Sequence, residues 1–294
     1  MRKRATELVF VAASWSAVIG LLLIVGALLV FLAQRASDAV GPGMVFGDAD
    51  WWPAIIGRAP VFGGLWPAIA GTISLVVLSS LLSLPLGTAT GIYLSEYAGD
   101  RVKRVLGVLV DVLAGIPSIV MGLFGFLVIL LLRRTIAPDV TTGFIVAAGC
   151  LALLVLPYTI RVTAGSIDSL DEEVRLLGPS LGMSRTGSLV AVILPSASKG
   201  ILSGAILSIG RAAEDTAVIM LTGAVATAGS SWPSGPLAKF EALPFRIFVT
   251  AAEHNTAEEL NAGFAAALVL VGLTAALFSV AYVFERSLHR RWSQ

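Results

Sequence analysis

Charge is scarce in this chain. Asp, Glu, Lys and Arg make up 13% of its 294 residues and hydrophobic residues 56%, where a soluble domain carries about 25% charge. That balance excludes an ordinary solvated globule and describes a polytopic membrane protein. Lys and Arg number 20 against 19 Asp and Glu, so no basic excess invites nucleic acid. The single cysteine, Cys150, excludes an internal disulfide and a thiolate metal cluster. The two histidines, His254 and His289, stand far apart and give a histidine metal centre almost nothing to build on. No cofactor is expected. No Gly-x4-Gly-Lys-[Ser/Thr] string occurs, so the chain has no loop of that kind for ATP.

What is present is a series of long apolar runs. Six are long enough to cross a bilayer, which takes about 20 residues: 8–33, 68–95, 105–132, 143–165, 196–228 and 263–285. The first follows Met-Arg-Lys-Arg but exceeds the apolar core of a signal peptide, so an uncleaved anchor is expected. Arg2, Lys3 and Arg4, the Arg101–Arg104 cluster, and Arg286, Arg290 and Arg291 fall on one side of a six-span arrangement. The positive-inside rule makes that side cytoplasmic, both termini included, with Arg133 and Arg134 dissenting. The outer loops, near 35–67 and 229–262, carry Trp51, Trp52, Trp66 and Trp232, which suits the membrane interface.

Three charges interrupt the fifth run. Between Gly200 and Ala228 the only ionisable residues are Arg211, Glu214 and Asp215. A charge at the bilayer centre costs about 2.5–3.5 kcal/mol on insertion scales, so such residues ordinarily face a partner or an aqueous path. On one continuous helix they would share a face. They read either as a self-neutralising cluster that packs helices or as a polar pathway. Arg161, at the end of the fourth run, is either an inner-mouth anion contact or a topology anchor.

The stretch from Arg161 to Lys199 is polar by comparison. Ser169-Leu-Asp-Glu172 has capping-box spacing, and Leu170, Val174 and Leu177 recur at helical intervals beside acids. Gly178-Pro179 predicts a stop, since proline disfavours helix before it. A second short piece runs through Gly182-Met-Ser-Arg-Thr-Gly into Ile193-Leu194-Pro195. Two short amphipathic helices are expected, serving as an interfacial element or as a docking knob for a soluble partner.

The spacing Gly182, Val192, Leu194-Pro195 resembles the EAA loop of ABC-importer permeases. Gly91-Ile-Tyr-Leu-Ser-Glu-Tyr-Ala98, Leu113-Ala-Gly-Ile-Pro-Ser-Ile-Val-Met-Gly-Leu-Phe124, Leu156-Pro-Tyr-Thr-Ile-Arg161 and Arg211-Ala-Ala-Glu-Asp-Thr-Ala217 narrow this. Together they resemble the permease of phosphate-specific ABC transporters, the PstA type, over roughly residues 60–225. Two departures stand out. Leu176-Leu177-Gly178 occupies the place of Glu-Ala-Ala, and Glu214-Asp215 replaces the usual Gly-Glu, so that Asp215 aligns with the family's glutamate.

The resemblance implies an all-α integral membrane protein with six transmembrane helices. It would be one permease domain over 1–294 in the type I (MetI-like) fold, with a cytoplasmic coupling loop at 166–195. It implies a non-catalytic subunit in the prokaryotic cytoplasmic membrane that moves phosphate inward on ATP hydrolysed elsewhere. The implied partners are a PstC-type permease, a PstB-type ATPase dimer and a PstS-type binding protein; a homodimer is the alternative to the PstC pairing. Arg211, Asp215, Glu214 and Arg161 would line the substrate path, Arg211 as oxyanion contact and Asp215 as its neutraliser. Glu172, Glu173, Arg175, Leu177, Gly178, Gly182, Ser184 and Arg185 would belong to the ATPase-coupling segment. Sulfate, molybdate or tungstate are alternative cargoes; a channel or an intramembrane enzyme is a remote alternative.

Overall fold

The computed structural model describes residues 2–37, 39, 41, 43–135, 138, 143–225, 232–233 and 235–292, with side chains placed over 10–283. The terminal arginines and lysine used for orientation, and His289, lie outside the described side chains, and residues 226–228 of the fifth run lie outside the described residues.

The described residues are almost wholly helical, and six helical stretches are long and apolar enough to cross a membrane. In chain order they are α1 (Arg2–Ala36), the short α2 (Gly43–Phe46) and α3 (Trp51–Ile55), α4 (Trp66–Ile92), α5 (Asp100–Gly115), α6 (Ser118–Thr135), α7 (Phe144–Asp168), α8 (Glu172–Ser180), α9 (Arg185–Ser188), α10 (Leu194–Glu214), α11 (Ala217–Leu221), α12 (Leu243–Glu253) and α13 (Ala257–Trp292). The only β pairing among described residues is an isolated bridge from Ala224 to Phe240.

The core is the pair α4 and α7, with α10 laid against both. Lipid offers no hydrophobic drive for helices to meet, so close packing and interhelical hydrogen bonds must hold them. The sequence supplies small residues on α4 at every fourth position: Ser79, Ser83, Gly87 and Gly91, all buried. Four-residue spacing keeps them on one helix face. There is no room on that face for a side chain at Gly87, where a Cβ would lie 2.6 Å from the Cβ of Thr159 on α7. The Thr159 and Ser208 hydroxyls meet at 3.0 Å and join α7 to α10. Pro85 and Pro157 lie inside α4 and α7; Pro157 is buried, where membrane helices tolerate proline because neighbours enclose it, and Pro85 is exposed. By contrast α1 is exposed along its span and packs chiefly on α13, with Phe31 edge-on to Phe264 at 5.6 Å.

Two expected spans are broken. The run expected at 105–132 is two helices, because Pro117 pushes Ile116 into an extended conformation (φ −70°, ψ 123°). α5 is then an amphipathic helix carrying Asp100, Arg101, Lys103, Arg104 and Asp111, and α6 does the crossing. The run expected at 196–228 stops at Glu214; Asp215 is extended (φ −73°, ψ 115°), and α11 starts two residues later. The helical rod leading to that break begins earlier than expected. α9, a π-helical turn at Leu189–Ile193 and α10 follow without interruption from Arg185.

At the end of the bundle away from α8, backbone and indole bonds tie the loops to span ends. Trp232 donates from Nε1 to the Ile55 carbonyl at 2.8 Å, Leu243 N donates to Thr72 Oγ1 at 2.9 Å, and Ile145 N donates to the Pro236 carbonyl at 2.8 Å. At the other end α4 closes in a π-helical turn, Tyr93–Tyr97.

Candidate functional site

The site grows from the break in the fifth span. Ending α10 at Glu214 leaves its last carbonyls without helical donors, and Arg211 sits in that last turn, where a cation suits the negative end of the helix dipole. Asp215 Oδ1 accepts a hydrogen bond from Val218 N at 2.8 Å and so satisfies one orphan amide at the start of α11. The two charges therefore serve two different helix ends. Among the described residues neither Arg211 nor Glu214 has an ion-pair partner within 4.0 Å, and both are exposed. The break takes Asp215 out of helical register with Arg211, and Glu214, still in α10 three residues after Arg211, does not pair with it either.

Instead Arg211 lies over an aromatic ring. Its guanidinium carbon is 5.5 Å from the centroid of Tyr158 on α7, a cation–π geometry worth about 0.5–1 kcal/mol where exposed. Tyr158 is three residues before Arg161, so both share one side of α7. Arg161 reaches α5, donating to the Gly107 carbonyl at 3.0 Å and pairing with Asp111. Both partners of that pair are half-exposed, and an exposed ion pair is worth at most about 1 kcal/mol; an arriving anion could compete with Asp111 for Arg161. The starts of two interrupted helices meet: Gly122, early in α6, packs against Ala217 and Leu221 of α11, and Gly125 packs against Thr222 and the Cys150 side chain of α7. Broken helices at membrane depth are tolerated where they are enclosed by protein or line an aqueous cavity.

The cap itself is testable. Asp215→Ala removes the acceptor for Val218 N, a loss of about 1 kcal/mol for such caps. We expect the unfolding temperature in detergent to fall by about 2–4 °C, and Asp215→Asn to stay near the wild type; equal transitions for the alanine and asparagine variants would refute the capping role.

The second group of sequence-selected residues lies in α8 and α9. Here the helix starts at Glu172 with Asp171 at the N-cap, not Ser169, whose hydroxyl donates instead to the Ser166 carbonyl at 3.1 Å and closes α7. α8 also runs through Pro179 to Ser180, beyond the expected stop. Gly182 then turns the chain with φ +72°, a value that favours glycine. Ser184 caps α9, its Oγ accepting from Gly187 N at 3.2 Å. Gly178 is buried against Ser188, which packs α8 on α9. Glu172, Glu173, Leu176, Leu177, Leu181 and Met183 are exposed, an apolar surface rimmed with acid.

Arg175 and Arg185 face the chain's own fourth helix. Arg175 Nη1 donates to Glu96 Oε1 at 2.9 Å and Nη2 to the Ile167 carbonyl at 2.6 Å. Arg185 donates to the Glu96 carbonyl and stacks over Tyr97 at 4.9 Å. Tyr158, Glu96 and Asp111 are site residues that do not stand out as such in the sequence. Tyr158 could have been found from its spacing to Arg161. The register of Glu96 against Arg175, 79 residues apart, could not.

Against known proteins, residues 83–293 match the family model described as binding-protein-dependent transport system inner membrane component. The chain is 33% identical over 245 residues to the phosphate transport system permease protein PstA of Mycobacterium leprae, covering 80% of this chain and 76% of that one. It is 35% identical over 178 residues to the phosphate transport system permease protein PstA 1 of Mycobacterium tuberculosis (strain CDC 1551 / Oshkosh), covering 58% of this chain and 56% of that one. In structure it superposes on a chain from inward-facing conformations of the MetNI methionine ABC transporter with TM-score 0.60 at 15% identity, covering 84% of this chain and 99% of that one; at that identity the likeness is one of fold.

Proposed function

The chain belongs to the family of binding-protein-dependent transport system inner membrane components, and from that premise we propose that it is the permease subunit of an ABC importer for inorganic phosphate. The observation that carries the cargo is the similarity to PstA permeases over most of the chain. The ATP-driven step belongs to a separate ATPase subunit, since no phosphate-cradling Gly-x4-Gly-Lys loop occurs in the sequence.

The geometry supports the following mechanism. A binding protein of the PstS type presents the anion to the bundle end that holds the tied outer loops. A second permease, of the PstC type, completes the pathway beside the exposed side of α7 and α10. Arg211 offers a fixed positive charge and a planar fork of donors that suits phosphate oxygens. Tyr158 holds that guanidinium in place without neutralising it, as a carboxylate would. Arg161 receives the anion next, exchanging Asp111 for phosphate and recovering Asp111 when phosphate leaves, so that binding stays weak enough for release. Leu176, Leu177, Leu181 and Glu172–Glu173 form the surface that docks on a PstB-type ATPase. Both termini are then on the cytoplasmic side of a prokaryotic cell membrane, a reading supported by the basic cluster at Arg101–Arg104.

The alternative cargoes are sulfate, molybdate and tungstate. Glu214 is exposed beside Arg211 with no ion-pair partner among the described residues, an arrangement that disfavours anions that are fully doubly charged at neutral pH, as these three are, and so weighs for phosphate, part of which carries a single charge. Proteoliposomes containing the assembled transporter decide between them. ATP-dependent uptake of radiolabelled phosphate should be suppressed by excess arsenate, a close tetrahedral analogue, and should stand unchanged in excess sulfate, molybdate or tungstate. Suppression by one of the latter three assigns the cargo to that anion.

A further inference from the structure

The connection between α7 and α8 is short and non-helical, with Asp171 extended at ψ 144°. The backbone therefore does not by itself fix the direction in which α8 leaves the bundle. Leu170 and Leu189 seat the segment on a small apolar cluster around Ile167 and Ile193, but apolar contact is non-directional. The directional contacts come from two arginines that reach back to one residue. Arg175 donates to the carboxylate of Glu96 and, through its other nitrogen, to the end of α7; Arg185 donates to the backbone carbonyl of the same Glu96. Asp168 extends the connection, accepting from Ser95 Oγ at 2.5 Å and Lys103 Nζ at 3.3 Å, with Arg175 Nη2 at 3.7 Å.

Most surface ion pairs contribute little. The Glu96–Arg175 pair differs in its surroundings, since the Glu96 side chain is 11% exposed and that of Arg175 30%. A carboxylate so far withdrawn from water requires its partner. Glu96 also sits in the π-helical turn that ends α4, a departure from α geometry that recurs at functional sites. A second such turn, Leu189–Ile193, joins the segment to α10.

We infer that Glu96, gripped by Arg175 and Arg185, is the brace that makes α8 and α9 move as one body with α4 and α7, so that ATPase motion reaches the spans instead of being lost in the 169–171 connection. These are positioning residues: none touches the cargo or the ATP. The inference rests on the transporter reading given above. Without the brace, the ATPase would turn over while the spans lag behind it.

The test uses the complete transporter in proteoliposomes. Glu96→Gln and Arg175→Gln complexes should retain their ATPase subunit and hydrolyse ATP near the wild-type rate, but move at least tenfold less phosphate per ATP. Arg175→Lys, which keeps the charge against Glu96, should recover at least half of the wild-type ratio, a rescue that a purely packing role would not give. Without ATP, hydrogen exchange of amides 172–180 should be at least tenfold faster in Glu96→Gln than in the wild type. A wild-type transport ratio or wild-type exchange in Glu96→Gln overturns the brace. Should Glu96→Gln fail to assemble, equal ratios for Arg175→Lys and Arg175→Gln overturn it instead. Failure of the wild-type complex to accumulate phosphate overturns the cargo alone; the exchange measurement needs no cargo and still decides the brace.

Discussion

Arg211→Gln should lower ATP-driven phosphate uptake by about a hundredfold while the complex still assembles. The side chain is exposed, contacts the Tyr158 ring and bonds no carboxylate among the described residues, so the fold depends on it weakly. A hydrogen bond to a charged group is worth about 1.5–3 kcal/mol, and the upper value corresponds to about a hundredfold at 1.4 kcal/mol per decade. Gln keeps a donor but loses the charge that offsets removal of the anion from water. Arg211→Lys should lie between the two, since it keeps the charge and loses the planar fork. The measurement is initial uptake rate beside the yield of ATPase subunit that co-purifies. Uptake within threefold of the wild type in Arg211→Gln would remove this residue from the pathway.

The second large effect concerns the fold. Gly87→Leu should eliminate most of the folded protein. The first added atom already meets Thr159, 2.6 Å from its Cβ, with Thr159 Cγ2 at 2.7 Å. Overpacking typically costs about 1–3 kcal/mol where neighbours can shift. Here a branched, buried residue on a central helix must yield, and moving α7 away would also break the Thr159–Ser208 contact. A loss of 3 kcal/mol would lower the unfolding temperature by about 10 °C, and the monodisperse peak after detergent extraction should shrink accordingly. Leu207→Ala, on an exposed part of α10, is the control expected to leave the peak intact. A full-height peak for Gly87→Leu would show that close contact of α4 with α7 at Gly87 does not hold the fold.

How much of this could be read from the residues differs from element to element. Span number followed from hydropathy because a bilayer demands about 20 apolar residues per crossing. The polar segment after Arg161 stood out for the same reason, by contrast with its neighbours. The interruptions did not stand out. Averaging hydropathy over 196–228 conceals a break at Asp215, since apolar residues continue on both sides of it, and an aspartate inside such a run looks like a misplaced charge before it looks like a helix cap. Pro117 was a more accessible signal, because the restriction on the preceding residue applies in any environment. The small residues at 79, 83, 87 and 91 were equally accessible as a spacing. Ser169 misled because it has the right spacing to Glu172 for a capping box; the hydroxyl instead bonds back to the Ser166 carbonyl. The contacts of Arg175 and Arg185 with Glu96 lay beyond sequence patterns altogether, being set by how α4 and α7 stack.

The uninterrupted rod from Arg185 to Glu214 is 30 residues long, which at 1.5 Å per residue makes an arm of about 45 Å. Its foot lies in the α8–α9 segment and its tip carries Arg211. Pivoted near the foot, an arm of that length sweeps its tip through about 4 Å for every 5° of tilt. That is more than the diameter of a water molecule, and comparable to the width of a tetrahedral oxyanion. A rotation of a few degrees is therefore large enough, at the tip, to exchange contacts such as Arg211 on Tyr158 and to open or shut a passage the size of the cargo.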